Sequence, residues 1–162
     1  MNAIELDASD RHRITYHEFD PQSDKLVICF ADQGGGMAAE GFGTKLCRKH
    51  GWNHIYVGKA YHTKFQSLSL DRFNEAVSPL LAGRDVITYG VSAGGYGALY
   101  YGGIINARIL SAAPRNGRHP INSKALRKSG NWESDLRGGG ILHPLCRAQI
   151  RSENKRAAGD RV

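Results

Sequence analysis

Four short apolar runs punctuate the first 114 residues: 25–31 (KLVICFA), 54–57 (HIYV), 85–89 (DVITY) and 107–112 (ARILSA). Each is rich in β-branched or aromatic residues and bounded by Gly, Pro, Asp or Asn, a pattern that predicts buried parallel strands. Between the second and third runs, Phe73, Ala76, Val77, Leu80 and Leu81 recur at helical intervals over 69–82, with Ser69 placed as an N-cap and Gly83 just past the end. Pro79 lacks a backbone donor and clashes one turn back, so that helix is expected to kink or stop early there. Residues 13–19 (RITYHEF) alternate polar and apolar, as a half-exposed antiparallel edge strand does. The strand–helix–strand rhythm predicts an α/β fold of three layers around a mostly parallel sheet, with right-handed crossovers.

After residue 114 the rhythm stops. The chain has 162 residues, 41% apolar and 23% charged, enough for one packed core and one domain. Residues 1–114 are therefore expected to form the α/β core, and 115–162 a loop-rich extension. Charge separates the two parts as well. Residues 1–114 hold 11 Lys/Arg and 11 Asp/Glu, whereas 115–162 hold 11 and 4, so the whole formal charge of +7 lies in the extension. With Trp132 as its one aromatic and no zinc-finger or RNA-binding signature, the extension reads as a solvated tail, and no nucleic-acid partner is expected. No apolar run approaches the roughly 18 residues of a membrane span, and residues 1–10 carry no basic-then-apolar leader, so a cytoplasmic protein is expected. Cys29, Cys47 and Cys146 form no CxxC, which argues against a disulfide framework or a cysteine metal site. His12 with His17, and His50 with His54, lack a carboxylate at HExxH spacing, so neither metal nor cofactor is expected.

The chemistry is concentrated directly after the DVITY run. Gly90-Val91-Ser92-Ala93-Gly94-Gly95-Tyr96-Gly97 leads into the helix-like Ala98-Leu99-Tyr100-Tyr101, which places GxSxG on a strand–turn–helix junction. A serine on so sharp a turn leaves no room for side chains two residues away on either side, and Gly90 and Gly94 occupy those places. A dinucleotide site would need GxGxxG, but Ser92 stands where its second glycine belongs, and no Asp or Glu occurs in 86–132 to hold a ribose. A P-loop, GxxxxGK[ST], is absent from the sequence.

The GVSAGGYG turn resembles the nucleophile elbow of the α/β-hydrolase superfamily, and residues 25–114 are similar to the first half of that fold. GFG at 41–43, GWNHIYV, KFQS and the stretch around Asn131-Trp132-Glu133 resemble a bacterial subgroup of these proteins. The resemblance implies that Ser92 is the nucleophile and the Ala93 amide one oxyanion donor. It implies a second donor in Asp32-Gln33-Gly34-Gly35-Gly36-Met37, similar to the family's HGGG-type loop, with Gln33 or Gly34 as the supplier. The family's triad follows the order Ser, acid, His. Downstream acids are Glu133, Asp135, Glu153 and Asp160, and the histidines are His119 and His143, which leaves Asp135 or Glu133 paired with His143. His62 is a further residue that could line a pocket on the serine side.

These residues depart from the family's pattern, whose acid and histidine close separate later strands. After Leu136 the chain shows no strand-like apolar character, so it resembles a hydrolase cut short. To reach Ser92, residues 137–142 with their three glycines would cross the sheet edge without forming a strand, leaving backbone groups that only water could satisfy. His143 is accordingly expected to lie away from Ser92, with no other histidine replacing it. The sequence thus predicts a serine hydrolase acting on an ester or related acyl bond of a small molecule, weak or inactive for want of a base. The alternative is a non-catalytic binding or assembly module with a basic tail. Limited trypsin digestion should cut within 115–161 well before it cuts within 25–114. Equal protection of both regions would show that the extension is packed.

Overall fold

The structure is a computed structural model describing residues 3–115, apart from His62 and Lys64. A six-stranded sheet runs through it: β1 (Ala3–Ala8), β2 (His12–His17), β3 (Lys25–Phe30), β4 (Asn53–Lys59), β5 (Asp85–Val91) and β6 (Arg108–Ala112), in the order β1-β2-β4-β3-β5-β6. β1, β2 and β4 pair antiparallel, while β4, β3, β5 and β6 are parallel. Three helices connect the strands: α1 (Thr44–His50), α2 (Leu70–Val77) and α3 (Ala93–Gly102). This is the three-layer, mostly parallel architecture that the hydrophobic pattern predicted.

Alternation along β3 sorts the helices between the faces. Leu26, Ile28 and Phe30 point to the side of α2 and α3, where they pack with Phe73, Val77, Ala98 and Tyr101. Val27 and Cys29 point to the other side and pack with Cys47 of α1. Cys29 and Cys47 are free thiols. On the first face Tyr101 lies flat on Phe30, with ring centroids 5.5 Å apart, and its hydroxyl reaches the carbonyls of Leu68 (2.7 Å) and Phe65 (2.9 Å). Burial holds the Tyr101 phenol well above its ordinary pKa, so it stays a neutral donor pinning 65–68 to α3.

Ser69 caps α2 by accepting the Arg72 amide, and α2 ends at Val77. A single 3₁₀ turn with Pro79 near its start follows, which is the early stop expected from proline. Gly51 ends α1 in the left-handed region at φ 66°.

Two expectations need correction. The strand containing residues 13–17 is not an edge strand: β1 covers one side and β4 the other, and β2 is buried along most of its length. Its polar positions are buried because the long 31–43 loop folds back over them, with Thr15 Oγ1 donating to the Ala39 carbonyl (2.6 Å) and His17 Nε2 donating to the same oxygen (2.9 Å). The strand at 108–112 is parallel as expected but not buried: among the described residues β6 stands at the sheet edge, with Ile109 41% and Leu110 56% exposed. An edge strand has a neighbour on one side only, so apolar composition does not by itself bury it.

Across the start of the parallel strands Asp85 accepts from Lys25 (2.6 Å) and Arg108 (2.5 and 3.0 Å), tying β3, β5 and β6 together. Arg72 grips Asp7 with two bonds of 2.7 Å, which joins α2 to β1.

His17 generates a pH dependence. Burial foremost, then the neighbouring His54 and Arg48, push its pKa below the ordinary 6.5, against the Ala39 carbonyl and Glu40, which favour the charged ring. The unfolded chain therefore takes up this proton first, and the stability that neutral His17 contributes is complete above the unfolded pKa and is lost as pH falls through the folded one. Urea unfolding midpoints should decline as pH falls below about 6.5, the ordinary histidine value, and His17→Gln should flatten that decline. An undiminished decline in His17→Gln would assign it to other groups.

Candidate active site

β3 and β5 are adjacent and parallel, yet β3 leads to α1 on one face and β5 to α3 on the other. A crevice opens at the carboxyl ends of strands whose connections diverge in this way, and open α/β sheets place their ligands there. The loop after β3 and the turn after β5 are the two walls of this crevice.

The second wall is made by a single residue. β5 ends at Val91 and α3 begins at Ala93, so Ser92 alone reverses the chain, at φ 56° and ψ −114°. An L-residue rarely adopts this conformation, and three backbone bonds hold it. The Ser92 amide donates to the Ala112 carbonyl (2.9 Å), while its own carbonyl accepts from the amides of Tyr96 (3.2 Å) and Arg115 (3.0 Å). Two glycines make the turn sterically possible. A Cβ on Gly90 would run into the backbone of Gly94, and one on Gly94 would run into the Phe30 carbonyl oxygen. The start of α3 thus rests directly on the end of β3.

That contact sets the electrostatics. The first amides of a helix have no partner within it and form the positive end of its dipole. Ala93, buried and first in α3, presents such an amide beside Ser92. Opposite, Asp32, Gln33 and Gly34 are exposed in the loop leaving β3. The Gly35 amide donates to the Asp32 carbonyl and the Tyr61 hydroxyl to the Gly34 carbonyl, each at 3.4 Å. The Arg115 guanidinium donates to Gln33 Oε1 at 2.9 Å. Beneath the loop, burial and then the Asp32 carboxylate push the Tyr56 phenol up to about 12, so Tyr56 supports the loop as a neutral group.

Ser92, Ala93 and the Gln33-Gly34 loop therefore lie together at the crevice. His143, Asp135, Glu133, His119 and His62 lie outside the described residues. The described histidines are engaged elsewhere. His54 donates from Nδ1 to the Val27 carbonyl (3.0 Å) and accepts at Nε2 from Thr44 (3.1 Å), His17 bonds Ala39, and His50 stacks on Trp52. His12 stands between Ser9 (3.0 Å) and Asp7 (2.8 Å), a serine, histidine and aspartate in line. It is a turn brace. Ser9 Oγ already accepts the amides of Arg11 and His12, and Asp7 is neutralised by the two-pronged Arg72.

Sequence reasoning missed Arg115 and Ala112. Ala113, at φ 45°, and Pro114 throw the chain back from β6 over Ser92. Pro114 signals a turn, but nothing local signals which residue that turn meets.

Comparison with known proteins follows the same lines. No protein-family model matches the chain, and no curated protein matches it by sequence. Solved structures do match. A sugar hydrolase from Lactococcus lactis superposes with a TM-score of 0.51 at 17% identity, over 70% of this chain and 53% of that one. The capsule O-acetyltransferase of Neisseria meningitidis serogroup A gives 0.51 at 20% identity, over 74% and 55%. A lidless α/β serine hydrolase from Xanthomonas campestris gives 0.50 at 16% identity, over 73% and 63%. The fold is of α/β-hydrolase type. The chain spans between 53% and 63% of the length of these three structures. In this α/β-hydrolase-type sheet the GxSxG turn and the loop after β3 face one another across adjacent strands.

The contact between α3 and β3 is open to a direct test. Gly94→Ala should lower stability by about 1–3 kcal/mol through overpacking against fixed backbone. Gly36→Ala, where a Cβ meets nothing within 4 Å, should stay within about 0.5 kcal/mol of the wild type. Equal midpoints for the two variants in urea unfolding would show that α3 can move off β3.

Proposed function

We propose that the protein performs acyl transfer from an ester or related small molecule, with Ser92 as the nucleophile and an acyl-enzyme as the intermediate. The observation that carries this reading is the Ser92 backbone, held at φ 56° and ψ −114° between a strand end and a helix start. Such strain persists only where surrounding structure over-determines it, and it supports a role for the one hydroxyl carried on this turn. The Ala93 amide and an amide of Gln33 or Gly34 would receive the oxyanion, aided by the positive end of α3. Attack by the Ser92 hydroxyl on the acyl carbon expels the alcohol and leaves the acyl group on Oγ. Water then releases it as the acid, or a second hydroxyl accepts it as a new ester. One structural neighbour is described as a serine hydrolase and another as an O-acetyltransferase, and both acceptors fit this intermediate.

The proton from Ser92 needs a base. Chain order assigns that role to His143, with Asp135 or Glu133 behind it, but among the described residues no histidine bonds the Ser92 hydroxyl. Nucleophile and oxyanion donors without a base retain ~10³ to 10⁴ over the uncatalysed rate. The chain is proposed to work at that low level. No described helix is long and apolar enough to cross a membrane.

A fluorophosphonate probe and a short-chain ester test this. The probe should label the wild type slowly at Ser92, and Ser92→Ala should abolish both labelling and hydrolysis with the fold unchanged. Hydrolysis retained in Ser92→Ala would remove Ser92 from the mechanism, and an unlabelled, inactive wild type would favour a binding module instead. His143→Ala should leave the residual rate unaltered. A further drop would place His143 in the catalytic machinery.

A further inference from the structure

We propose that Arg115 is a positioning residue that locks the Gln33-Gly34 loop onto the Ser92 turn, so that the two oxyanion donors face a common point. This rests on the reading of Ser92 as a nucleophile given above. Arg115 bonds both walls of the crevice. Its amide donates to the Ser92 carbonyl (3.0 Å), and its guanidinium to Gln33 Oε1 (2.9 Å).

The loop needs such a tie. Between Ala31 and α1 it has no regular structure, and its outer part is anchored separately, by Thr15 and His17 on the Ala39 carbonyl and by the Gly41 amide on Thr44 Oγ1 (3.0 Å). The inner part, 32–36, carries the proposed donor. The backbone turn at Gly35 and the Tyr61 contact on Gly34 are both long, at 3.4 Å, whereas the Arg115 bond is shorter and charge-assisted. Asp32, Gln33 and Gly34 are exposed, so water competes for their polar groups. An oxyanion donor displaced by even 1 Å loses much of its effect, which makes the rate sensitive to this bond. Arginine suits the task because its planar guanidinium stays charged and holds a fixed direction. The route of the chain supports the assignment: Ala113 at φ 45° and then Pro114 turn the backbone back from β6, and the same turn that supplies the amide to Ser92 aims the side chain across the crevice.

The test combines amide hydrogen exchange with the fluorophosphonate rate in the full chain. Arg115→Ala should speed exchange across 32–36 about tenfold and leave Gly41 and the helices unchanged. Gln33→Ala breaks the same bond from the other side and should also speed exchange in 32–36, and the double variant should fall short of the sum of the two single effects. The labelling rate at Ser92 should fall about tenfold in Arg115→Ala, should be partly restored by added guanidinium ion, and should recover less in Arg115→Lys. Unchanged exchange in 32–36 in both single variants would overturn the lock. Faster exchange with an unchanged labelling rate would overturn its role in chemistry. A wild type that is never labelled refutes Ser92 as the nucleophile, while the exchange data still decide whether Arg115 holds the loop.

Discussion

The start of α3 sits on the end of β3 with no side chain between them, and the geometry of the crevice follows from that contact. The Phe30 carbonyl occupies the space that a Cβ on Gly94 would need, so the helix can approach only as glycine. Once it has approached, the amide of Ala93 comes to the level where β3 releases its own loop. Phe30 does two jobs here: its carbonyl faces Gly94, and its side chain is buried under Tyr101, Phe73 and Phe65. Burial of such a ring contributes roughly 2 kcal/mol, and it fixes the strand end against which the helix start is measured. Core packing and site geometry therefore share one residue.

The opposite face of the sheet supports the other wall by a different means. There the polar side of β2 is buried rather than exposed, because Thr15 and His17 hold the returning 31–43 loop by its Ala39 carbonyl. His54, on the adjacent strand, is fixed as the Nδ1–H form by Val27 and Thr44. His17 and His54 act as hydrogen-bonding struts in this layer, and burial favours the neutral form of His17. It follows that acid weakens the same layer that carries the loop.

The described part of the chain thus supports a division of labour. A strained serine and a helix start stand on one wall and a glycine-rich loop on the other, while the base and acid proposed from chain order fall at 133–143, outside the described residues. Among the described residues the parallel strands end at β6, where Ile109 and Leu110 are exposed. The turn that holds Ser92 is local, so it needs only β5, α3 and their immediate supports.

What could be read directly from the sequence was short-range. The β-branched runs gave the parallel strands, Ser69 and Pro79 bounded α2, and Gly90, Ser92 and Gly94 marked the turn, because each of these depends on a few neighbouring residues and on backbone sterics. The strand at 13–17 misled for a physical reason: alternation reports one polar face, and that face was buried by a loop from 22 residues away, counted from His17 to Ala39. The exposure of β6 was likewise hidden, since composition does not say on which side a strand finds a partner. Only the tertiary structure decided which groups meet at the crevice. It brought Ala112 and Arg115 to Ser92, and Arg115 to Gln33 across 82 residues, and no local pattern encodes such pairings, because they depend on where β6 lies in the sheet.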